Sequence, residues 1–223
     1  MRLLSSTALP PVVIFDLDRT LYDTDSAQDA VKQAIEEFTK QFETLFGEAS
    51  VIRRADLVQQ LIKMSPDEVI EFFHLDQKNA LLYIDFYENL PVPAEAVLYL
   101  DVWGALEKLQ TKGVRLFLVT KGEESFQRRK ISHVGIERFF KEMVVVGPRC
   151  KIKDKKTAFQ DLMTRHYLSP HTIWVVGDGQ EELTAGRILG WRTVQTLRPG
   201  VPKREADHHI RTLPELVTLM GVE

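Results

Sequence analysis

The sequence predicts an α/β fold, a Rossmann-like doubly wound parallel sheet with an inserted all-helical domain. Three observations predict it. The runs VVIF (Val12–Phe15) and VRLFLVT (residues 114–120) are short and almost continuously apolar, as strands covered on both faces must be. From residue 95 onward such runs alternate with amphipathic helical stretches, which implies right-handed βαβ units. Between residues 24 and 94 the alternation stops and only helical spacing is found.

The elements follow in chain order. After the first strand, Ala30, Ala34, Ile35 and Phe38 recur at helical spacing, as do Leu57, Leu61 and Ile62. Ser65-Pro66 with Glu68 is a helix start: an N-cap, a proline at the first helical position and an acid in the first turn. Val69, Ile70, Phe72 and Phe73 continue that helix; Leu81, Leu82, Ile84 and Phe86 make another, and Pro91 and Pro93 close the block. Beyond it come a helix over 102–112, the second strand over 114–120, a helix over 123–133, a strand over 143–146, a helix over 157–167, a strand over 173–176, a helix over 183–189 and a strand over 192–196. Gly113, Gly135 and Gly190 punctuate the helix ends. The expected division is a core domain of residues 1–23 and 95–223, with a helical domain at 24–94 that packs over one end of the sheet.

With 223 residues, 44% of them hydrophobic, the chain can bury a substantial core with an insertion. A formal charge of −3 gives no electrostatic basis for a nucleic-acid partner or an anionic membrane surface. The single cysteine, Cys150, excludes an internal disulfide and points to a reducing, cytoplasmic setting. The stretch MRLLSSTALPP is too short and polar for a secretory signal, and no run approaches the roughly 20 apolar residues of a spanning helix. A monomer or homodimer without nucleic-acid or membrane partners is expected.

In doubly wound sheets, ligands bind at the carboxyl ends of the strands. The residues there are Asp16-Leu17-Asp18, Thr120-Lys121-Gly122, a basic run (Lys151, Lys153, Lys155, Lys156) and Gly177-Asp178. Two carboxylates one residue apart at the end of a buried strand repel each other, and their burial is costly unless a cation or a proton compensates. Carboxylates, a hydroxyl, an ammonium and a turning backbone are the inventory for a divalent cation bound together with a phosphate.

These residues resemble the motifs of the haloacid dehalogenase-like hydrolases, most of which are Mg²⁺-dependent phosphatases. The first motif, DxDxT after a buried strand, is Asp16-Leu17-Asp18-Arg19-Thr20. The second, a Ser or Thr ending a strand, is Thr120. The third is a lysine shortly before a helix, and the fourth is GDGQEE, Gly177 to Glu182. The resemblance implies that Asp16 is the nucleophile, forming an aspartyl-phosphate, and that Asp18 is the general acid/base. It implies Mg²⁺ held by Asp16, the backbone carbonyl of Asp18, and Asp178, with Glu182 as a ligand or as an acceptor for a metal-bound water. Thr120 would bond a phosphate oxygen, helped by the backbone N–H of Lys121 or Gly122. The phosphate-binding lysine is open among Lys153, Lys155 and Lys156, with Lys153 preferred on spacing. Thr20 is expected to brace the aspartate loop, and Glu181 to be a first-turn helix acid. Arg19 departs from the family, where Gly or Asn is common. The helical domain would act as a cap that excludes water and selects the substrate, a small phosphorylated metabolite such as a nucleotide, a sugar phosphate or a phosphoglycolate-like acid.

Two other functions fit the same motifs: a phosphomutase of the β-phosphoglucomutase kind, and a non-catalytic binding or regulatory protein of the same fold. The complete set of acids, Thr and Lys argues against the second. A dehalogenase would not need Asp18 as an acid. His208-His209 lacks a partner motif for a metal site and reads as a surface turn.

Overall fold

The computed structural model describes residues 9–41 and 54–222. Most of the N-terminal stretch judged unlike a secretory signal therefore lies outside the described residues, as does part of the helical block. Among the described residues no helix is long and apolar enough to cross a membrane.

The central strand is β1 (Val12–Phe15), whose four side chains are almost wholly buried. On one side it pairs with β4 (Arg115–Lys121), and β4 with β5 (Glu142–Val146); on the other it pairs with β6 (Ile173–Gly177), followed by β7 (Arg192–Thr196) and β8 (His208–Ile210). All these pairings are parallel. The chain thus winds outward from β1 in one direction, returns, and winds outward in the other. The reversal falls between β1 and β6, where a doubly wound sheet opens a crevice for ligands.

Alternation along the strands explains the two cores. Val13 and Phe15 face Leu116, Leu118 and Val176 and pack under α5 (Val102–Thr111), α6 (Glu124–Val134) and α9 (Leu213–Leu219). Val12 and Ile14 face Phe117, Val119 and Val175 and pack under α7 (Lys155–Arg165) and α8 (Gln180–Ile188).

The helical block holds α1 (Gln28–Gln41), α2 (Arg54–Lys63), α3 (Pro66–Phe72) and α4 (Gln77–Glu88). It has its own core, in which Ile35, Phe38, Leu57, Val58, Leu61, Val69 and Tyr83 are buried. The expected helix start at Ser65 is a full capping box with Glu68. The chain enters and leaves the block through an antiparallel ribbon, β2 (Tyr22–Asp23) against β3 (Val97–Leu98).

The sequence reading missed three short strands. β2, β3 and β8 have two or three residues each, too few for a period to show. His208 and His209 accordingly lie in an edge strand and not in a turn; His208 stacks on Trp174 and His209 bonds the Arg204 carbonyl. Helices α7 and α8 begin two and three residues before their expected starts, and the first of these shifts matters for the site.

One buried cation secures the loop after β1. Arg198 donates to the Thr20 carbonyl (2.9 Å) and the Arg211 carbonyl (3.2 Å), pairs with Asp101 (3.0 Å) and lies over the Tyr99 ring. Thr20 is fully buried, its hydroxyl 3.3 Å from that of Thr196, as a brace for this loop should be. Arg198→Met leaves the Asp101 charge without its cation and the loop carbonyl without this donor. It is expected to cost about 3 kcal/mol, measured as a lower urea midpoint with an unchanged slope.

Candidate active site

Asp16 is the first residue past β1. Its N–H still donates to the Val176 carbonyl, so the strand pairing carries it into the crevice. It is buried, and so is Lys155, the first residue of α7. The Lys155 ammonium sits 2.9 Å from Asp16 Oδ1 and 2.8 Å from Glu182 Oε2. Asp154 caps the helix by accepting from the Thr157 N–H, which fixes where Lys155 begins. Glu182 turns back to the start of its own helix, its other oxygen accepting from the Gly179 N–H. Oxygens of Asp16, Asp178 and Glu182 lie within 4.8 Å of one another.

Lys153, the preferred phosphate-binding lysine, stands outside this group. Its side chain is exposed and its ammonium bonds the Pro148 carbonyl. Its outward course has a geometric cause. Residues 151–154 precede the helix and follow the surface, whereas the first helical residue turns inward across the strand ends. Lys156 is exposed as well.

Thr120, near the end of β4, is 1% exposed and its hydroxyl has no hydrogen-bond partner among the described residues. A buried, unpartnered hydroxyl at a crevice is rare unless a ligand completes it. The backbone N–H of Gly122 does not serve an anion as expected, since it donates to the Val146 carbonyl. Lys121 points out to Glu181, at 3.0 Å. Glu181 is a first-turn acid of α8 as expected, and it also accepts from the Lys155 N–H, so it ties the β4 end to the α7 start.

The Asp18 carboxylate is turned to a different set of partners. Its Oδ1 accepts from Lys130 (2.5 Å) and Thr24 (3.0 Å), and its Oδ2 from Gln127 (3.1 Å). It is not part of the acidic triad. The sequence reading missed Lys130 and Gln127, and also Gln195 and Arg204, which donate to the Asp178 carbonyl at 3.3 and 3.2 Å. One signal for the first pair was available: Gln127, Lys130, Ile131 and Val134 share one face of a helix at i, i+3, i+4 and i+7. A lysine amid apolar positions of that stripe must turn inward.

The two aspartates of the loop are held at different protonation levels. Burial, then the like charges of Glu182 and Asp178, push Asp16 up to about 8 against the pull of Lys155. Burial and Glu182 raise Asp178 to about 6. Burial also opposes the charge on Glu182, but Lys155 outweighs it and holds that acid below its ordinary range. For Asp18, burial is outweighed by Lys130, Gln127 and Thr24, so its pKa is lowered.

The donor set fits a divalent cation. Three carboxylates and one ammonium leave −3 + 1 = −2 when all are ionised. One oxygen of Asp16 and the Asp178 carboxylate remain outside the contacts made by Lys155, and hard oxygen donors suit Mg²⁺-like ions. Because Asp16 and Asp178 are raised, these two sites bind more protons in the folded chain than in the unfolded one above about pH 4. Their contribution to stability is full below that pH and is lost as pH rises through about 6 and about 8. A cation that binds the ionised acids reverses the trend. A divalent ion should therefore raise the melting temperature more at pH 8 than at pH 5.5, and its binding near neutrality should release protons, read by calorimetry in two buffers of different ionisation enthalpy. A metal effect that ignores pH would count against the triad.

Comparison with known proteins bears on the whole chain. A family model described as haloacid dehalogenase-like hydrolase matches residues 13–196. The chain is 27% identical over 188 residues to a phosphoglycolate phosphatase of Vibrio cholerae, 80% of each chain being covered. Among solved structures, a HAD phosphatase from Thermococcus onnurineus is similar with a TM-score of 0.71 at 23% identity, covering 96% of this chain and 99% of the other. A haloacid dehalogenase-like hydrolase from Streptococcus pneumoniae is similar at 0.69 and 16%, covering 95% and 98%. These two likenesses bear on the fold. With the family match spanning the sheet and the strand-end residues, the chain belongs to the haloacid dehalogenase-like hydrolases and is an enzyme.

Proposed function

We propose that the protein is a Mg²⁺-dependent phosphatase of small phosphate monoesters, working through an aspartyl-phosphate on Asp16. The observation that carries this reading is the meeting at the carboxyl end of the sheet of Asp16, buried Lys155 and Asp178, with the buried Thr120 hydroxyl near the end of the strand paired with β1. The similarity to a phosphoglycolate phosphatase, and over 48% of the chain to an enolase-phosphatase of Aquifex aeolicus, supports a small phosphorylated substrate.

In this reading Asp16 and Asp178, with the Asp18 carbonyl, would hold the metal, whose charge would screen the repulsion between the Asp16 carboxylate and the anionic ester. Glu182 has both oxygens engaged by Lys155 and Gly179, so it braces the site. Asp16 attacks phosphorus as the ester P–O bond breaks. The leaving oxygen takes a proton from Asp18. Water then attacks the aspartyl-phosphate and gives its proton to Asp18, releasing phosphate and restoring Asp16. Thr120 bonds a phosphoryl oxygen. Lys155, and not Lys153, keeps Asp16 in place and offsets charge on the transferring group. Residues 24–94 form the cap. Its polar contacts to the core include Arg149 to Asp67 (3.2 Å) and Arg129 to the Leu90 carbonyl (3.0 Å), and at its two ends Ala27 and Val92 pack into the core.

The test is phosphate release from p-nitrophenyl phosphate and a panel of small monoesters, with Mg²⁺ or with EDTA. Turnover should need Mg²⁺ and fall by about 10³-fold or more in Asp16→Asn. A sugar phosphate that isomerises with no phosphate released would instead identify a mutase. The lysine assignment has its own test. Lys155→Met should lower kcat by on the order of 100-fold, while Lys153→Ala should stay within about threefold of wild type. The reverse result would restore Lys153.

A further inference from the structure

Helix α6 delivers a second polar group to the loop after β1, from outside the strand ends. Lys130 is 5% exposed, and its ammonium is boxed between Asp18 Oδ1 at 2.5 Å and the rings of Tyr22 and Phe126 at 4.7 and 5.6 Å. Gln127, one turn earlier, is equally buried. Its amide donates both to Asp18 Oδ2 (3.1 Å) and to the Lys121 carbonyl (2.9 Å). The amide lies so close over Gly122 that a Cβ there would come within 2.6 Å of it, and Gly122 also has a positive φ of 153°. The segment after Thr120 is thus shaped to admit this amide.

Packing alone does not explain the pair. A buried ammonium loses its hydration, and an apolar residue of similar volume at position 130 would pack α6 at no such cost. What the two side chains accomplish is to hold both oxygens of one carboxylate. Oδ1 takes a cation and the Thr24 hydroxyl, which fixes the carboxyl plane. Oδ2 takes a single donor and keeps a lone pair for another partner.

We propose that Lys130 and Gln127 are positioning residues that hold the Asp18 carboxyl in the orientation from which Oδ2 exchanges a proton with the leaving oxygen of the ester. This rests on the phosphatase reading above, with the same proton balance: the proton passes from Asp18 to the leaving oxygen as the P–O bond breaks, and returns from water in the second half-reaction.

The leaving group separates positioning from simple structural damage. p-Nitrophenolate departs as a stable anion and needs no proton, whereas the alkoxide of glycerol 2-phosphate does. The quantity to measure is kcat/KM for both esters with Mg²⁺, which reports the steps up to cleavage of the ester. Lys130→Met should lower it by about 30-fold or more for glycerol 2-phosphate and by about threefold or less for p-nitrophenyl phosphate. Lys130→Arg should recover most of the loss. In an Asp18→Asn background, Lys130→Met should change the ratio of the two esters no further. Equal losses on both esters, or no loss on either, would overturn the proposal. If Lys130→Met does not fold, Gln127→Leu keeps the ion pair and must show the same skew towards the alkyl ester; an unskewed Gln127→Leu also overturns it. Failure of the parent reading looks different: wild type then releases phosphate from neither ester.

Discussion

The carboxyl end of the sheet is arranged around one buried ammonium, that of Lys155. Asp16 must end the central strand inside the protein, and an isolated buried carboxylate there would simply take up a proton. Lys155 supplies the opposite charge, but a buried lysine has its own desolvation cost, which one carboxylate meets only in part. Glu182 is the second acceptor. The constraint then propagates into the backbone. Glu182 folds back over the loop between β6 and α8 so closely that a Cβ on Gly177 would lie 2.5 Å from its carboxylate, and one on Gly179 2.9 Å. The glycines of GDGQEE are therefore required by the carboxylate that faces the lysine. Asp178 lies between them, its carbonyl held by Gln195 and Arg204 and its carboxylate within 4.8 Å of Asp16.

The same reasoning explains two aspartates one residue apart. They share a loop but not an environment. Asp16 points into a crowd of acids and is pushed up; Asp18 points to Lys130 and is drawn down. Separate neighbours let the two carboxyl groups titrate apart; without a cation the order is the reverse of that for a nucleophilic Asp16 and an acidic Asp18, and a cation bound beside Asp16 would draw it down. The loop can keep them apart because its left-handed turn at Arg19 (φ 52°) and the Arg198 grip on the Thr20 carbonyl set the direction in which it leaves β1.

The parallel sheet, the helical block and the acids at the strand ends were legible in the sequence because each rests on a local signal: apolar runs of four to seven residues, helical spacing, a carboxylate straight after a strand. The lysine was not. Lys151, Lys153, Lys155 and Lys156 are chemically alike, and the choice among them depends on where α7 starts. Reading the helix from residue 157 placed Lys155 in a loop. Asp154 followed by Thr157 is an N-cap pattern that would have moved the start to Lys155, and with it the side chain that turns across the strands. Lys130 and Gln127 escaped for another reason. Their partners are 112 and 109 residues away in the chain, and nothing local to α6 announces Asp18.

Helix α6 is where the core, the loop and the helical block meet. Its inner face holds Asp18 through Gln127 and Lys130, while Arg129 holds the Leu90 carbonyl at the end of the block, and Ser125 Oγ lies 3.0 Å from the Glu88 carbonyl. The two sets of contacts differ in kind. The inner ones are buried and charged, so breaking them exposes an uncompensated charge to a low dielectric. The outer ones, and the Arg149–Asp67 pair whose side chains are 31% and 36% exposed, are worth about 0–1 kcal/mol each. One helix therefore grips the aspartate loop firmly and the block lightly. Asp16, Asp18 and Lys155 are thus held by buried, charged contacts that cannot part cheaply.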